Sequence, residues 1–308
     1  MSARVTVDLG RTRANIRRFH AAAAEAGVAV RAHTKAHRTI ELSRLQLEAG
    51  AVGVSVQTVN AGLALGDAAD VVLSWPWREE WRRPLYARAA AELRSFAVHV
   101  DDAETVAGVA STAARHGVEI GLRIDLRHTP ADAVLPLARL IEKTPGVRLD
   151  GVSGYSAPAT WEDIEDRVEY GRRHAVRLVE VAEAIRAEGI PCPTVCAGGT
   201  PTAAGALAVP GITEITAGAY ATLDGGLAAA GYCGPADVAI SVADAALLDG
   251  CAQPWDPETV AVRDGERLLP AHVCPLAKRL AVQDVEITVV DGGEVVDVWR
   301  PLARPDRG

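Results

Sequence analysis

Val28-Ala29-Val30-Arg31-Ala32-His33-Thr34-Lys35-Ala36-His37 is a short apolar run that closes on one lysine between two histidines. Three residues of β-branched or small apolar character open it, as a buried strand would. Strand residues alternate faces, so Arg31, His33, Lys35 and His37 share one face if the chain stays extended that far. A lysine held near other cations loses its proton more readily and can then condense with an aldehyde. A solvent-facing basic strand end fits this segment alone equally well.

Seven further runs repeat the rhythm. They are Ala51–Gln57, Asp70–Trp75, Ser95–Asp101, Glu119–Asp125, Leu149–Tyr155, Pro193–Gly199 and Glu214–Tyr220. Their near-continuous apolar character suits parallel strands covered on both faces. Helical stretches lie between them. Thr12–Ala26 stops at Gly27, Asp102–His116 at Gly117, and Thr160–Glu188 at Gly189. Strands alternating with helices, eight times over, predict a closed eight-stranded βα barrel of the TIM type over residues 8–224. After Asp224 the long helices give way to Gly, Pro and short strand-like runs. Asp237–Val242, Thr259–Val262, Ala281–Val290 and Glu294–Trp299 read as strands, with Asp291-Gly292-Gly293 as a hairpin turn. Residues 225–308 therefore read as a small C-terminal β domain, which residues 1–7 can join through Val5-Thr6-Val7.

Composition excludes several classes. The chain has 308 residues, 49% of them hydrophobic, which is enough for a large core. A net charge of −8 and no Lys/Arg-rich arm speak against a nucleic-acid partner. No apolar run is long enough to span a bilayer, and no signal-peptide core precedes Val5. Five cysteines without a Cys-x-x-Cys pair predict free thiols and a cytoplasmic location.

In such a barrel the chemistry sits at the carboxyl ends of the strands. Lys35, Gln57, Trp75, Asp101, Asp125, Tyr155, Gly198-Gly199-Thr200 and Gly218-Ala219-Tyr220 stand there. Ala197-Gly198-Gly199-Thr200-Pro201-Thr202 follows the seventh strand. Its glycines let backbone amides approach an anion, its two threonines add hydroxyl donors, and the next helix adds its dipole. Gly218-Ala219-Tyr220 supplies the neighbouring loop, where barrels often hold phosphate. A lysine across the mouth from a phosphate cradle, with Tyr155 to pack on a ring, is the layout that pyridoxal 5'-phosphate needs.

These stretches, with Glu214-Ile215-Thr216-Ala217-Gly218-Ala219-Tyr220, resemble the alanine racemase-like (fold-type III) pyridoxal phosphate enzymes. Within them the match is to the branch of D-threonine aldolase and D-serine dehydratase. The resemblance implies a barrel followed by a β domain, with Lys35 as the lysine that bonds the cofactor and as the base at the substrate α-carbon. It implies Tyr155 on or near the cofactor ring and Gly198, Gly199, Thr200, Gly218 and Tyr220 around the phosphate, with Gln57 a weaker cofactor contact. His272-Val273-Cys274-Pro275 resembles the branch's metal motif, with His272 and Cys274 as ligands of a divalent ion, zinc first. On a strand, residues two apart share a face, so this pair can converge. Imidazole with thiolate suits zinc, and two ligands leave positions open for water and substrate.

The implied activity is a metal-assisted, deaminating dehydration (a lyase reaction) of a D-3-hydroxy amino acid such as D-serine. Aldolases of the branch tend to carry aspartate where Cys274 stands. Retro-aldol cleavage is the alternative, followed by amino-acid racemization and by a non-catalytic pyridoxal phosphate carrier. A homodimer is expected. Two departures stand out: residues 225–271 are short for the family, and Ile124-Asp125-Leu126-Arg127-His128-Thr129-Pro130 lacks the expected Gly and later Arg, which Arg123 or Arg127 would have to replace.

Overall fold

The computed structural model describes residues 4–67, 69–75 and 80–302. The ends of the expected segments, residues 1–3 and 303–308, lie outside them. The strands, in chain order, are β1 (Val5–Asp8), β2 (Ala29–His33), β3 (Gly53–Val56), β4 (Asp70–Leu73), β5 (Ser95–Val100), β6 (Ile120–Asp125) and β7 (Val147–Tyr155). There follow β8 (Thr194–Gly198), β9 (Glu214–Ala217), β10 (Ile240–Val242), β11 (Ala261–Asp264), β12 (Arg267–Pro270), β13 (Ile287–Asp291) and β14 (Glu294–Trp299).

Strands β2 to β9 close into a barrel. Every pairing in it is parallel, and β2 seals it against β9 with Ala29 beside Glu214 and Ala32 beside Ala217. Each of the eight apolar runs holds one barrel strand. The outward positions are aliphatic: Ile120, Leu122 and Ile124 on β6 are fully buried beneath the helices. The inward positions are polar, with Arg123 between Leu122 and Ile124 and Arg31 between Val30 and Ala32. The barrel interior is thus a charged and hydrogen-bonding lumen inside an aliphatic shell.

Local signals set the helix ends. Asp102 caps helix Ala103–His116 by accepting the Thr105 amide at 2.7 Å, a contact worth about 1 kcal/mol. Gly117 ends it with φ +65°. The stretch Thr160–Glu188 is not one helix. Thr160 and Asp163 form a capping box for Trp161–Glu165, and Asp166 then breaks the path before Arg167–Ala187.

Outside the barrel, β10-β1-β13-β14 form one sheet and β11-β12 a hairpin. β1 lies antiparallel to β10 and parallel to β13. Gly292 and Gly293 turn β13 into β14 with positive φ. The expected strand Ala281–Val290 is corrected: Val273–Gln283 is a helix, and the strand begins only at Ile287. Val273, Leu276, Ala277, Leu280 and Ala281 are its buried residues, the three-to-four spacing of a helix face. Pro275 sits in its first turn, where no amide is needed. His272 and Cys274 are therefore not strand neighbours. His272 is the helix N-cap and Cys274 lies in the first turn.

Candidate active site

β2 stops at His33 because that side chain turns back on the backbone. His33 Nδ1 accepts the Lys35 amide at 3.3 Å, and Thr34–Ala36 winds into a 3-10 turn. The shared face expected of Arg31, His33, Lys35 and His37 therefore ends at His33. Arg31 points to the barrel floor. Lys35 reaches the mouth from the turn, with Nζ 4.4 Å from the centre of the Tyr155 ring. His37 is buried elsewhere, its Nδ1 accepting the Thr39 amide at 3.2 Å.

At the carboxyl ends of the barrel strands lies a cavity of about 730 Å³. Four of the expected cofactor residues line it: Lys35, Gln57, Tyr155 and Gly198. Gln57 is held there by Arg38, whose guanidinium donates to its side-chain oxygen. Tyr155 is 39% exposed and also receives the Arg127 guanidinium, 5.5 Å from its ring centre. Neither Lys35 Nζ nor the Arg127 guanidinium has a hydrogen bond or ion pair to a carboxylate among the described residues.

The remaining expected phosphate residues sit beside the cavity and do not line it. Gly199 takes φ +129°, where only glycine is unstrained, but its amide donates to Thr216 O at 3.0 Å. Thr202 Oγ1 is bonded to Ser156 Oγ at 2.6 Å, and Ser156 in turn donates to Gly198 O. Both groups are committed to the protein, contrary to the expectation that they face an anion. Helix Ala203–Leu207, only five residues long, also has too little length for a strong dipole. Thr200 differs: the residue is 5% exposed, and its hydroxyl makes no hydrogen bond to a described residue without being one of the buried unpartnered atoms. Gly218 packs against the Lys35 turn, where a Cβ would stand 2.7 Å from His33 O. The Tyr220 side chain is a correction. It stacks on Phe19 at 4.3 Å and bonds His20 Nε2 at 2.9 Å, which leaves only its backbone on the barrel side.

Several lining residues escaped the sequence reading as site residues: His33, Ser74, His99, His128, Ser153, Cys196 and Thr216. His33, His99, Ser153, Cys196 and Thr216 each stand two residues before a position already read at a strand's carboxyl end (Lys35, Asp101, Tyr155, Gly198 and Gly218), so the inward register was the missing signal. His33 Nε2 meets Ser74 Oγ at 3.3 Å, and burial with Lys35 nearby holds its pKa well below the ordinary range. Burial, with the Arg123 guanidinium beside it, pushes His99 down to about 3. Burial raises Asp125, whose carboxylate lies 3.8 Å from His99 Nδ1.

Beneath the cavity the floor is sealed by charge. Arg31 grips Glu214 with two hydrogen bonds of 2.9 Å and Asp70 with one of 2.8 Å. Arg123 bonds the same Glu214 and Asp150. Burial alone would raise Glu214, but the two guanidiniums outweigh it and hold the carboxyl at about 2.

Helix Val273–Gln283 packs on the Lys35 turn. His272 and Cys274 do not line the cavity, yet the charge of Lys35 acts on both. Burial holds His272 down at about 4 and pushes the Cys274 thiol up to about 11. His272 Nδ1 meets Ala252 O at 3.2 Å, which leaves Nε2 for a ligand, the usual arrangement of a metal-binding histidine. No cluster of three or more His, Cys, Asp or Glu suited to a metal occurs among the described residues. Imidazole and thiol are donors that suit zinc, and no third such residue joins them in a cluster among the described residues. No helix among the described residues is long and apolar enough to cross a membrane.

Residues 7–223 match the family described as "Alanine racemase, N-terminal domain". The chain is 31% identical over 250 residues to D-threo-3-hydroxyaspartate dehydratase of Delftia sp. (strain HT23), covering 77% of this chain and 65% of that protein. It is 30% identical over 241 residues to D-threonine aldolase of Arthrobacter sp, covering 75% of this chain and 63% of that one. It therefore spans less than two thirds of the length of either relative. Among solved structures, the Delftia dehydratase superposes with a TM-score of 0.82 at 22% identity over 98% of both chains. D-threonine aldolase from Filomicrobium marinum does so with 0.83 at 21% identity, over 100% of this chain and 97% of that one.

Proposed function

The chain belongs to the alanine racemase N-terminal domain family, and from that premise we propose that it is a pyridoxal phosphate-dependent lyase of D-3-hydroxy amino acids. One observation carries the reading. Lys35 enters the cavity from a turn rather than a strand, over the Tyr155 ring and without a carboxylate to hold its charge. A structural lysine at a barrel rim would ordinarily pair or point to water.

Pyridoxal phosphate bound through Lys35 would supply an electron sink for the pair left at the substrate α-carbon. Lys35, at the cavity mouth, would also be the base at the substrate α-proton. Tyr155 limits where a flat ring can lie. Thr200, with its unpartnered hydroxyl, and the backbone near Gly218 are the donors left for the phosphate. Of the two arginines weighed for the ring, Arg123 is tied to the floor, so Arg127 is the one at the mouth. His272 and Cys274 would hold a divalent ion, zinc by their chemistry, to give Lewis acidity at the β-hydroxyl. A cysteine-to-alanine mutant of a D-threo-3-hydroxyaspartate dehydratase is described in a metal-free form, which supports metal binding in that relative.

Loss of the β-hydroxyl gives the dehydratase reaction, a carbon–oxygen lyase. Cleavage of the α–β carbon bond gives the aldolase reaction. Both kinds of relative resemble this chain, and Cys274 is what favours dehydration. D-3-hydroxyaspartate joins D-serine as a candidate substrate, because the Delftia relative acts on it. A cytoplasmic homodimer completes the reading, on the strength of five free cysteines and the family's habit of placing its sites near a subunit interface. The test is to load the protein with pyridoxal phosphate and supply D- and L-3-hydroxy amino acids with zinc, manganese or magnesium. Ammonia without glycine from D substrates is expected. Glycine with an aldehyde would replace dehydration by the aldolase reading, and neither product from any substrate would end the lyase reading.

A further inference from the structure

We propose that Asp224 and Gln253 are positioning residues that hold the His272–Cys274 pair in place for a divalent cation. The proposal rests on the metal reading of that pair given above. It begins from an anomaly at the start of helix Val273–Gln283. His272 is the N-cap, but its side chain makes no capping hydrogen bond. The first amide of a helix has no partner within it and needs one when buried. Asp224, 49 residues earlier in the chain, provides it: Oδ2 accepts the Val273 amide at 3.1 Å. A carboxylate at that end also suits the helix dipole. The His272 imidazole is thereby released from capping and free to bind elsewhere.

The same carboxylate organises its surroundings. Asp224 is fully buried. Its Oδ1 caps helix Gly225–Ala229 through the Leu227 amide at 2.9 Å. Gln253 Nε2 lies 3.1 and 3.2 Å from the two carboxylate oxygens and donates to Ala271 O at 2.9 Å. Ala271 O also accepts the Gly226 amide at 3.0 Å, while the Ala271 amide donates to Val260 O at 3.0 Å. With His272 Nδ1 on Ala252 O, every residue from Ala271 to Val273 is fixed by at least one hydrogen bond. There is no slack: a Cβ on Gly226 would stand 2.4 Å from Ala271 O and 2.5 Å from Gln253 Cγ.

Residue 224 follows the last barrel strand, so this clamp ties the barrel to the segment that carries the pair. Partners of metal ligands typically change affinity by about 10- to 100-fold when removed. Asp224→Asn keeps the shape but sets an NH2 group among three N–H donors, so at least one contact is lost.

The experiment is a cobalt(II) titration of the full chain, stripped of metal and loaded with pyridoxal phosphate, followed by the thiolate-to-cobalt absorption band. The unaltered protein should bind one equivalent with that band, and His272→Ala or Cys274→Ala should abolish it. If the unaltered protein gives no band, or these two variants keep it, the metal reading itself is wrong and the proposal falls with it. Given the band, Asp224→Asn should bind cobalt roughly tenfold or more weakly, with a displaced band and unchanged pyridoxal absorption. Gln253→Met should weaken it less and shift the band in the same direction, and it decides the matter if Asp224→Asn does not fold. Wild-type affinity and an unmoved band in the folded variants, even with a lowered melting temperature, would reduce the clamp to a structural role and overturn the proposal.

Discussion

Arg31 and Lys35 stand four residues apart at the end of one barrel strand, in opposite circumstances. Arg31 is buried at the floor, bonded to Glu214 and Asp70. Lys35 is at the mouth, its charge resting against an aromatic face with no carboxylate partner among the described residues. The floor uses charge for architecture: Arg31 and Arg123 reach Glu214 from different strands and hold three walls of the barrel together. At the mouth, Lys35 and Arg127 have no carboxylate partner among the described residues. A group that must exchange protons and bonds cannot also be locked in an ion pair.

The sharpest way to break this comparison is to exchange the roles experimentally. Lys35→Ala should abolish turnover and remove the absorption of lysine-bound pyridoxal, while unfolding free energy changes by less than about 1 kcal/mol. Glu214→Gln should do the reverse. Removing one partner of a buried charge network costs roughly 3–5 kcal/mol, because the two guanidiniums stay behind with only the half-buried Asp70 and Asp150 to offset them. Denaturant unfolding and cofactor absorption, measured on both variants, read the two axes. A Lys35→Ala protein as unstable as Glu214→Gln would show that the mouth is architectural too.

Acid should expose the same division. His37 is held at about 4 and His99 at about 3, against 6.5 when unfolded, and Glu214 at about 2 against 4.5. All are depressed, so the unfolded chain binds more protons in each interval. The stability they give is complete above about pH 6.5 and falls as pH drops through the folded values. A histidine moved from 6.5 to about 4 accounts for on the order of 3 kcal/mol when fully titrated. Unfolding followed from pH 7 to pH 3 should show the histidine loss first and the Glu214 loss last. Flat stability across that range would mean the lumen admits protons without unfolding.

The outer shell of the barrel was legible in the chain and the lumen was not. Val30, Ile120, Leu122 and Ile124 read as strand because burial under helices makes every second position aliphatic. Arg31 read as a face-mate of Lys35 and Arg123 as a candidate for the cofactor ring, since their partner Glu214 is 183 and 91 residues away. Lys35 was legible through its motif, but its route into the cavity was not, because a side chain, His33, ends the strand. Tyr220 failed for a related reason. A tyrosine after a strand can face either side, and the neighbours that claim it, Phe19 and His20, belong to the first helix. At His272–Cys274 the spacing fits a strand as well as a helix turn. Only the later Leu276, Ala277 and Leu280 reveal the helical period.

The smallest predicted effect tests the quieter side of the mouth. Thr200 is 5% exposed with a hydroxyl that no described residue engages, next to glycine and threonine groups that are all committed. The hydroxyl is not among the buried unpartnered polar atoms and makes no hydrogen bond to a described residue, so replacing threonine by valine removes no internal contact. Thr200→Val should leave stability unchanged within about 1 kcal/mol, or raise it. If the hydroxyl donates to the phosphate of the cofactor, its loss should weaken binding by roughly 1.5–3 kcal/mol, about 10- to 150-fold in the dissociation constant. Equilibrium dialysis of pyridoxal phosphate against the Lys35→Ala and Lys35→Ala/Thr200→Val proteins isolates this contact from the covalent one. Equal affinities in the two proteins would move the phosphate away from the loop after β8 and leave Thr200 as an ordinary buried threonine.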